Sequence, residues 1–406
     1  IYLAFNRYMA RIGIERVNAN RSRFQRAQEV LGGIKDVKIF GLEQEYLKGY
    51  NSPARKFAQT RANGQIVGQL PRFLLEAIAF GGILIVIMVH LDQSATDAAT
   101  IFPLIGLYAM AGYRLLPALQ QLYQSFTKLR IGKHALDKLH QHLGENFPSG
   151  SFAQGIGEGG RLHLTREIAL QNVTYTYPEA DKPALQNISL GIPELNTVAL
   201  VGPTGSGKTT VVDIILGLLR PQQGSVMVDS ESLTETNLRN WQRSLGYVPQ
   251  TIFLTDDTVA GNIAFGVRAS DIDLKAVERA AGLAQLHEFV VNELPRGYLT
   301  TVGERGVRLT GGQRQRIGIA RALYHDPDIL ILDEATSALD NRTEKAVMDA
   351  VHNLSHKKTI IMIAHRMSTV RECDILYLLD GGRLVGEGSY DDLLTSNEQF
   401  QAIVNG

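Results

Sequence analysis

Cysteine occurs once in the 406 residues, at position 373, so no internal disulfide can form. A lone thiol suits a reducing cytosol around its part of the chain. Neither sign of charge is in excess: 41 Lys and Arg balance 41 Asp and Glu, and no large nucleic-acid surface is advertised. No signal peptide opens the sequence, and no internal repeat or long low-complexity segment divides it. An initiator Met is also missing. The opening Ile1-Tyr2-Leu3-Ala4-Phe5 is apolar and then basic, which reads as a fragment beginning near the end of a helix. A chain of this length holds two or three domains.

What is present is a phosphate-binding loop. Gly202-Pro203-Thr204-Gly205-Ser206-Gly207-Lys208-Thr209 fits the pattern of Gly, four residues, then Gly-Lys-Thr. Thr197 to Val201 before it reads as a short buried strand, and Thr210 to Leu219 after it is apolar at helical spacing. Strand, loop and helix are the setting this motif needs. Its glycines let backbone N–H groups turn inward around phosphate oxygens, and the helix start adds the positive end of its dipole. Lys208 is suited to the β- and γ-phosphates, and the Thr209 hydroxyl to Mg²⁺. A ligand-free Gly-rich turn is the alternative, and the full motif in its full context argues against it. The chain therefore reads as a binder of a nucleoside triphosphate.

Ile329-Leu330-Ile331-Leu332-Asp333-Glu334 is an apolar strand ending in two carboxylates. Asp333 is placed to complete the Mg²⁺ shell beside Thr209, and Glu334 to activate the attacking water as a general base. A helix N-cap is the plainer reading of such a pair. The other strand-like runs are Ile168 to Leu170, Val226 to Val228 and Thr359 to Ile363. They alternate with helical patterns, which predicts an α/β domain on a largely parallel sheet from residue 162 to 406.

Leu309-Thr310-Gly311-Gly312-Gln313-Arg314-Gln315-Arg316 closely resembles the signature sequence of ATP-binding cassette (ABC) proteins. Thr310 stands where Ser is usual, keeping the hydroxyl and adding a methyl. The resemblance covers residues 165 to 400. It implies that Tyr177 stacks on adenine, that the phosphate loop through Thr210 binds ATP, and that Gln250 touches Mg²⁺ and senses a membrane domain. It further implies that Ser337 and Asp340 belong to the D-loop and that His365 is the switch histidine contacting the γ-phosphate. Thr310, Gly311, Gly312 and Gln313 would face the ATP of a partner cassette, so the working unit is a dimer. Lys208, Gln250, Glu334, His365 and the glycine pair are all present, which points to a homodimer with two equivalent sites for ATP and Mg²⁺.

Ahead of this domain, residues 6 to about 70 are helical in pattern and rich in Arg and Lys, in the manner of long helices in water. Phe73 to Leu91 carries one acidic residue, Glu76, around the run Ile83 to Val89, and its length suits a bilayer crossing. A second apolar stretch, Ala98 to Thr127, is interrupted by Arg114. The link between them has no Lys or Arg while the flanks are basic, which places the flanks in the cytoplasm. A buried hairpin of a soluble domain is the alternative. Glu76 and Arg114 are candidates for a translocation path. Equally, both fit headgroup level, with Glu76 paired to Arg72. The expected layout is an all-α, partly transmembrane fragment over 1–145 with membrane helices at about 73–91 and 98–127, a Gly-rich linker at 146–161, and an α/β P-loop nucleotide-binding domain at 162–406.

Membrane helices fused ahead of a cassette resemble the exporter half-transporter, as does Thr301-Val302-Gly303-Glu304-Arg305-Gly306, which is similar to the exporter X-loop. Gln25 to Gly33, ahead of Ile34-Lys35-Asp36-Val37-Lys38, is the expected coupling helix that docks on a partner cassette. Tyr108 to Leu119, with Pro71 to Glu76, resembles the bacterial flippases of lipid-linked oligosaccharides and polysaccharides. That resemblance implies a bacterial inner-membrane protein with a cytoplasmic cassette and a lipid-linked or amphipathic substrate. Lipid A, phospholipid, peptide and multidrug exporters share the layout, and a soluble cassette ATPase without a transport role is the reading from another class.

Overall fold

The computed structural model describes residues 2–92, 98–146, 160–303, 306–333, 341–364 and 370–405. Two units, 1–157 and 158–406, divide the chain. Residues 147–159 of the expected linker lie outside the described residues.

The first unit is helical throughout: α1 (Tyr2–Gly32), α2 (Ile34–Ile39), α3 (Glu43–Asp92) and α4 (Ala98–Asn146). The opening residues do not lie near the end of a helix; from Tyr2 they are part of one that runs on to Gly32. Helices α1 and α3 pack on each other, with Ile12, Ala19, Thr60 and Val67 buried. The Thr60 hydroxyl donates to the carbonyls of Lys56 and Phe57, each at 2.9 Å, so this polar side chain is satisfied within its own helix. The Arg23 guanidinium lies 4.4 Å from the centroid of the Phe57 ring, a cation over an aromatic face that joins the two helices.

Helix α3 is 50 residues long, about 75 Å at 1.5 Å per residue, and runs from the last part of the basic segment through Phe73 to Leu91 without a break. Helix α4 continues through Pro103 and Pro117. Gln25 to Gly32, the greater part of the expected coupling helix, is the last part of α1, and the separate short helix is α2. Among the described residues no helix is long and apolar enough to cross a membrane. The side chains of several residues in the apolar run, among them Ile83, Val86, Ile87 and Val89, lie outside the described set.

In the second unit the strands are β1 (Glu167–Tyr175), β2 (Leu185–Pro193), β3 (Thr197–Val201), β4 (Gln223–Val228) and β5 (Glu231–Ser232). They continue as β6 (Leu245–Val248), β7 (Ile329–Asp333), β8 (Thr359–Ile363), β9 (Ile375–Asp380) and β10 (Arg383–Gly388). One sheet has the order β10-β9-β3-β8-β7-β6, parallel except for β10. The other, β2-β1-β4-β5, is antiparallel. The expectation of a largely parallel sheet holds for the first. It fails for Ile168 to Leu170 and Val226 to Val228, which pair antiparallel in the second. β1 also pairs antiparallel with β2, and with no helix between those two strands a parallel pairing has no route.

Each central strand feeds two cores by alternation. Ala199 and Val201 of β3, Leu330 and Leu332 of β7, and Ile360 and Met362 of β8 enter one cluster, with Ile317, Leu323 and Phe400. Val198 and Leu200, Ile329 and Ile331, and Ile361 and Ile363 enter the other, with Ile168, Leu170 and Trp241 from the rest of the unit. Being covered on both faces, these strands read as unbroken apolar runs.

The sole Trp241 is fully buried, and its indole N–H donates to the Ile215 carbonyl at 2.7 Å. Burial, with Asp374 and Glu372 adding, pushes the Cys373 thiol up to about 12, so at pH 8 it is protonated and unreactive in the folded state. Unfolding of the cassette therefore has two intrinsic reporters. Trp241 emission is expected to be blue-shifted in the native chain, and iodoacetamide labelling of Cys373 to rise with the unfolded fraction. Phe400→Ala, at a site with no exposure, is expected to cost about 3–5 kcal/mol and lower the denaturant midpoint of both signals.

Candidate functional site

The phosphate loop leaves the carboxyl end of β3 and enters α5 (Lys208–Ile215). Three of its glycines have positive φ: 145° at Gly202, 81° at Gly205 and 103° at Gly207, which caps α5. At Gly202 a Cβ would stand 2.0 Å from the carbonyl oxygen of Leu379, so the loop can press onto β9 only with glycine there. Lys208 is buried, and its ammonium donates to the carbonyls of Gly202 at 2.8 Å and Pro203 at 2.9 Å. The loop thus curls around the lysine's own charge, with the first turn of α5 beneath it. Thr209 follows at the start of the same helix, and the Thr210 hydroxyl lies 3.2 Å from the Tyr177 hydroxyl. The Tyr177 ring is 40% exposed and stands edge-on to Tyr175 with centroids 5.1 Å apart, leaving a face free for a base to stack on.

Register brings the remaining described residues to the same edge. Leu200 of β3 pairs with Ile363 of β8, Asp333 of β7 also pairs with Ile363, and Val248 of β6 pairs with Leu332. Asp333 is therefore at the carboxyl end of its strand, 7% exposed, and Gln250 follows two residues beyond the end of β6. Ligands of open α/β sheets bind along this edge. Glu334, Ser337, Asp340 and His365 lie outside the described residues, as do Glu304 and Arg305 of the X-loop segment.

Helix α10 (Gly311–Tyr324) starts at the signature. Thr310 is its N-cap: its hydroxyl accepts from the Gln313 N–H at 3.3 Å, and the Gln313 side chain accepts from the Thr310 N–H at 2.9 Å. This reciprocal cap holds Gly311 and Gly312 in the first turn, where backbone N–H groups are open to an anion. A cavity of about 540 Å³ is lined by Gln250 to Leu254 on one side and Gly311, Arg314 and Gln315 on the other, so the glutamine loop and the signature helix share one hollow. Gln315 is 2% exposed, and neither its Oε1 nor its Nε2 has a hydrogen-bond partner.

Motif reasoning passed over three residues here. Arg321 of α10 donates to the carbonyls of Asn262 at 2.8 Å and Phe253 at 2.9 Å, and its guanidinium lies 4.6 Å from the Phe265 ring centroid. Asn262, fully buried, ties the same loop through Thr255 and Thr258. The Tyr247 hydroxyl donates to Asp333 Oδ2 at 3.4 Å. An Arg set among Ala320, Ala322 and Leu323 was the available signal for the first; the other two carry none in one sequence.

These groups fit a nucleoside triphosphate and Mg²⁺. The glycine cradle excludes a side chain at Gly202, and a buried ammonium lies inside it. Among the described residues no cluster of three or more His, Cys, Asp or Glu forms a metal cage. Thr209 and Asp333 instead match an ion that takes few protein ligands and completes its shell with phosphate and water. In the first unit Glu76 is half-buried on α3 and Arg114 exposed on α4.

A glycine cradle after β3, a buried carboxylate ending β7 and a capped glycine helix beside a glutamine loop define the class of P-loop ATPase cassettes. Residues 185–337 match the ABC transporter family, and the chain belongs to that family. Its second unit is an ABC-type ATP-hydrolysing domain. The chain is 33% identical over 98% of its length to an ATP-dependent lipid A-core flippase of Cupriavidus pinatubonensis, and 34% identical over 91% to that of Escherichia coli K12. It spans 66% and 62% of those two proteins. It is also similar, with a TM-score of 0.80 and 28% identity over all of this chain and 70% of the other, to a bacterial Atm1-family ABC exporter with ATP bound.

Gly202→Ala sets a methyl group against the Leu379 carbonyl at a backbone angle that favours glycine. ATP affinity measured by calorimetry is expected to fall by about 100-fold or more, while Gly282→Ala, where a Cβ meets nothing and φ is not positive, leaves it unchanged.

Proposed function

We propose that the chain is the cassette-bearing part of a homodimeric exporter that uses ATP to move a lipid-linked substrate across the bacterial inner membrane, with its cassette in the cytoplasm. The observation that carries this reading is the apolar surface of the first unit. Phe73, Ile78, Phe80, Leu84, Ile85 and Met88 of α3 are each more than 60% exposed, and Leu107, Met110, Tyr113, Leu115 and Phe126 of α4 equally so. Apolar side chains in that number are not left to water in a soluble protein. A bilayer around 73–91 and 98–127 accounts for them, and the flippases to which the chain is similar support the same reading. The soluble-ATPase alternative has no use for this surface.

In the proposed cycle ATP supplies the phosphoanhydride bond and Mg²⁺ neutralises its developing charge. Lys208 and the loop N–H groups hold the phosphates, and Tyr177 holds the base. Thr209 and Asp333 hold the ion, and Gln250 lies beside them at the end of β6. Glu334 takes the proton of the attacking water, and His365 contacts the γ-phosphate. Thr310, Gly311, Gly312 and Gln313 complete the site of a second copy, which brings Ser337 and Asp340 to the interface. Helix α2, with Ile39 and Phe40 more than two-thirds exposed, has the apolar end that a coupling segment requires.

The substrate proposed is a lipid-linked oligosaccharide or polysaccharide precursor. Its pyrophosphate is anionic, and Arg114 within an apolar stretch, with Glu76 on α3, suits a path along which such a head group is drawn. Lipid A-core is the second reading, favoured by the names of the similar flippases.

Two outcomes test this. Glu334→Gln is expected to keep ATP affinity and to lose turnover by about 100-fold or more; wild-type hydrolysis in that variant removes Glu334 as the base. In the full-length transporter in nanodiscs, polyprenyl-pyrophosphate glycan is expected to stimulate hydrolysis, and Arg114→Ala to reduce that increment several-fold. Stimulation by drugs or peptides alone would reject the flippase.

A further inference from the structure

The hydrogen bond from Tyr247 to Asp333 joins two neighbouring parallel strands at the edge where the nucleotide is expected. Tyr247 pairs with Ile331 and Val248 with Leu332, so Asp333 lies one step beyond this ladder, and the long phenol reaches forward to it. The ring packs against the buried cluster around α5, which fixes the direction in which the hydroxyl points. Tyr247 is also three residues before Gln250, on the strand that carries the glutamine loop.

We propose that Tyr247 is a positioning residue for the divalent cation of the nucleotide: its hydroxyl restrains the Asp333 carboxylate so that the acid meets the ion without first having to be ordered. The proposal rests on the ATPase reading of the site. A carboxylate that must be immobilised on binding loses affinity to side-chain entropy, and one already held by a donor at Oδ2 does not. The donor is constant. A phenol is protonated, and so a donor, at neutral pH. Asp213 of α5, itself shifted upward by burial, is the second acid near this hydroxyl, and one O–H can serve only one carboxylate fully. The present bond selects Asp333.

The test uses the full chain and Tyr247→Phe, which keeps the packed ring and removes the donor. Affinity for a fluorescent ATP analogue is measured with saturating Mg²⁺ and again in EDTA. The expected result is a loss of about 5- to 10-fold with Mg²⁺ and none in EDTA, with the Mg²⁺ concentration for half-maximal hydrolysis raised by a similar factor. An equal loss in both conditions shows a merely structural ring and overturns the proposal, as does no loss in either. If Tyr247→Phe does not fold, 3-fluorotyrosine inserted at position 247 replaces it. Its ¹⁹F resonance is expected to move on addition of Mg²⁺ and ATP but not of ATP with EDTA, and an identical response to both overturns the proposal. A wild-type chain that binds no ATP analogue in either condition sinks the ATPase reading, and this inference with it.

Discussion

The parallel register of β3, β8, β7 and β6 is the constraint on which the rest of the cassette depends. Because Leu200 and Asp333 both pair with Ile363, and Val248 pairs with Leu332, the chain leaves four strands at one edge. The phosphate loop, the acid of β7 and the glutamine loop are assembled by that edge alone. A slip of one residue in β7 would exchange its two faces, sending Leu330 and Leu332 out of one core and Ile329 and Ile331 out of the other. Fully buried branched side chains on both faces make that slip expensive, so hydrophobic packing fixes the position of a carboxylate that contributes nothing to the packing.

A charged group ties the signature helix to the segment after the glutamine loop at a different cost. Arg321 is desolvated, and burial lowers its pKa, yet guanidinium keeps its proton in proteins. The cost is offset by three hydrogen bonds, to the carbonyls of Phe253 and Asn262 and to Asn262 Oδ1, and by the Phe265 ring. An aliphatic residue would avoid the desolvation but would leave those carbonyls without this donor, which is the more costly error in a buried loop. Through this one side chain the signature helix and the segment after the glutamine loop hold a single geometry.

Much of this was legible in sequence because it is written in local pattern. The glycine spacing of 202–209 required a loop between strand and helix, and the apolar runs 329–332 and 359–363 required buried strands. The antiparallel sheet was not legible. Its strands at 167–175 and 223–228 are far apart in sequence, and their pairing depends on contacts that no local period records. Gly33, at φ −105° and ψ 29°, separates α1 from α2 at the residue where the expected coupling helix ends. Tyr247 gained its role from a neighbour 86 positions away, a distance at which one sequence shows no trace of a partner.

Thr310 illustrates how a departure from family pattern is absorbed. Its hydroxyl has one proton and two acceptor lone pairs. The N–H of Gln313 takes one lone pair, and the backbone at φ −70° and ψ 164° is extended, a conformation that a β-branched residue adopts without strain. The cap therefore consumes acceptor capacity only. The hydroxyl proton stays free to donate outward, from an exposed residue at the positive end of a 14-residue helix. A phosphate needs donors, and the added methyl removes none. Thr in the place of Ser therefore keeps the donor half of the hydroxyl available at this helix start, because capping draws only on its acceptor half.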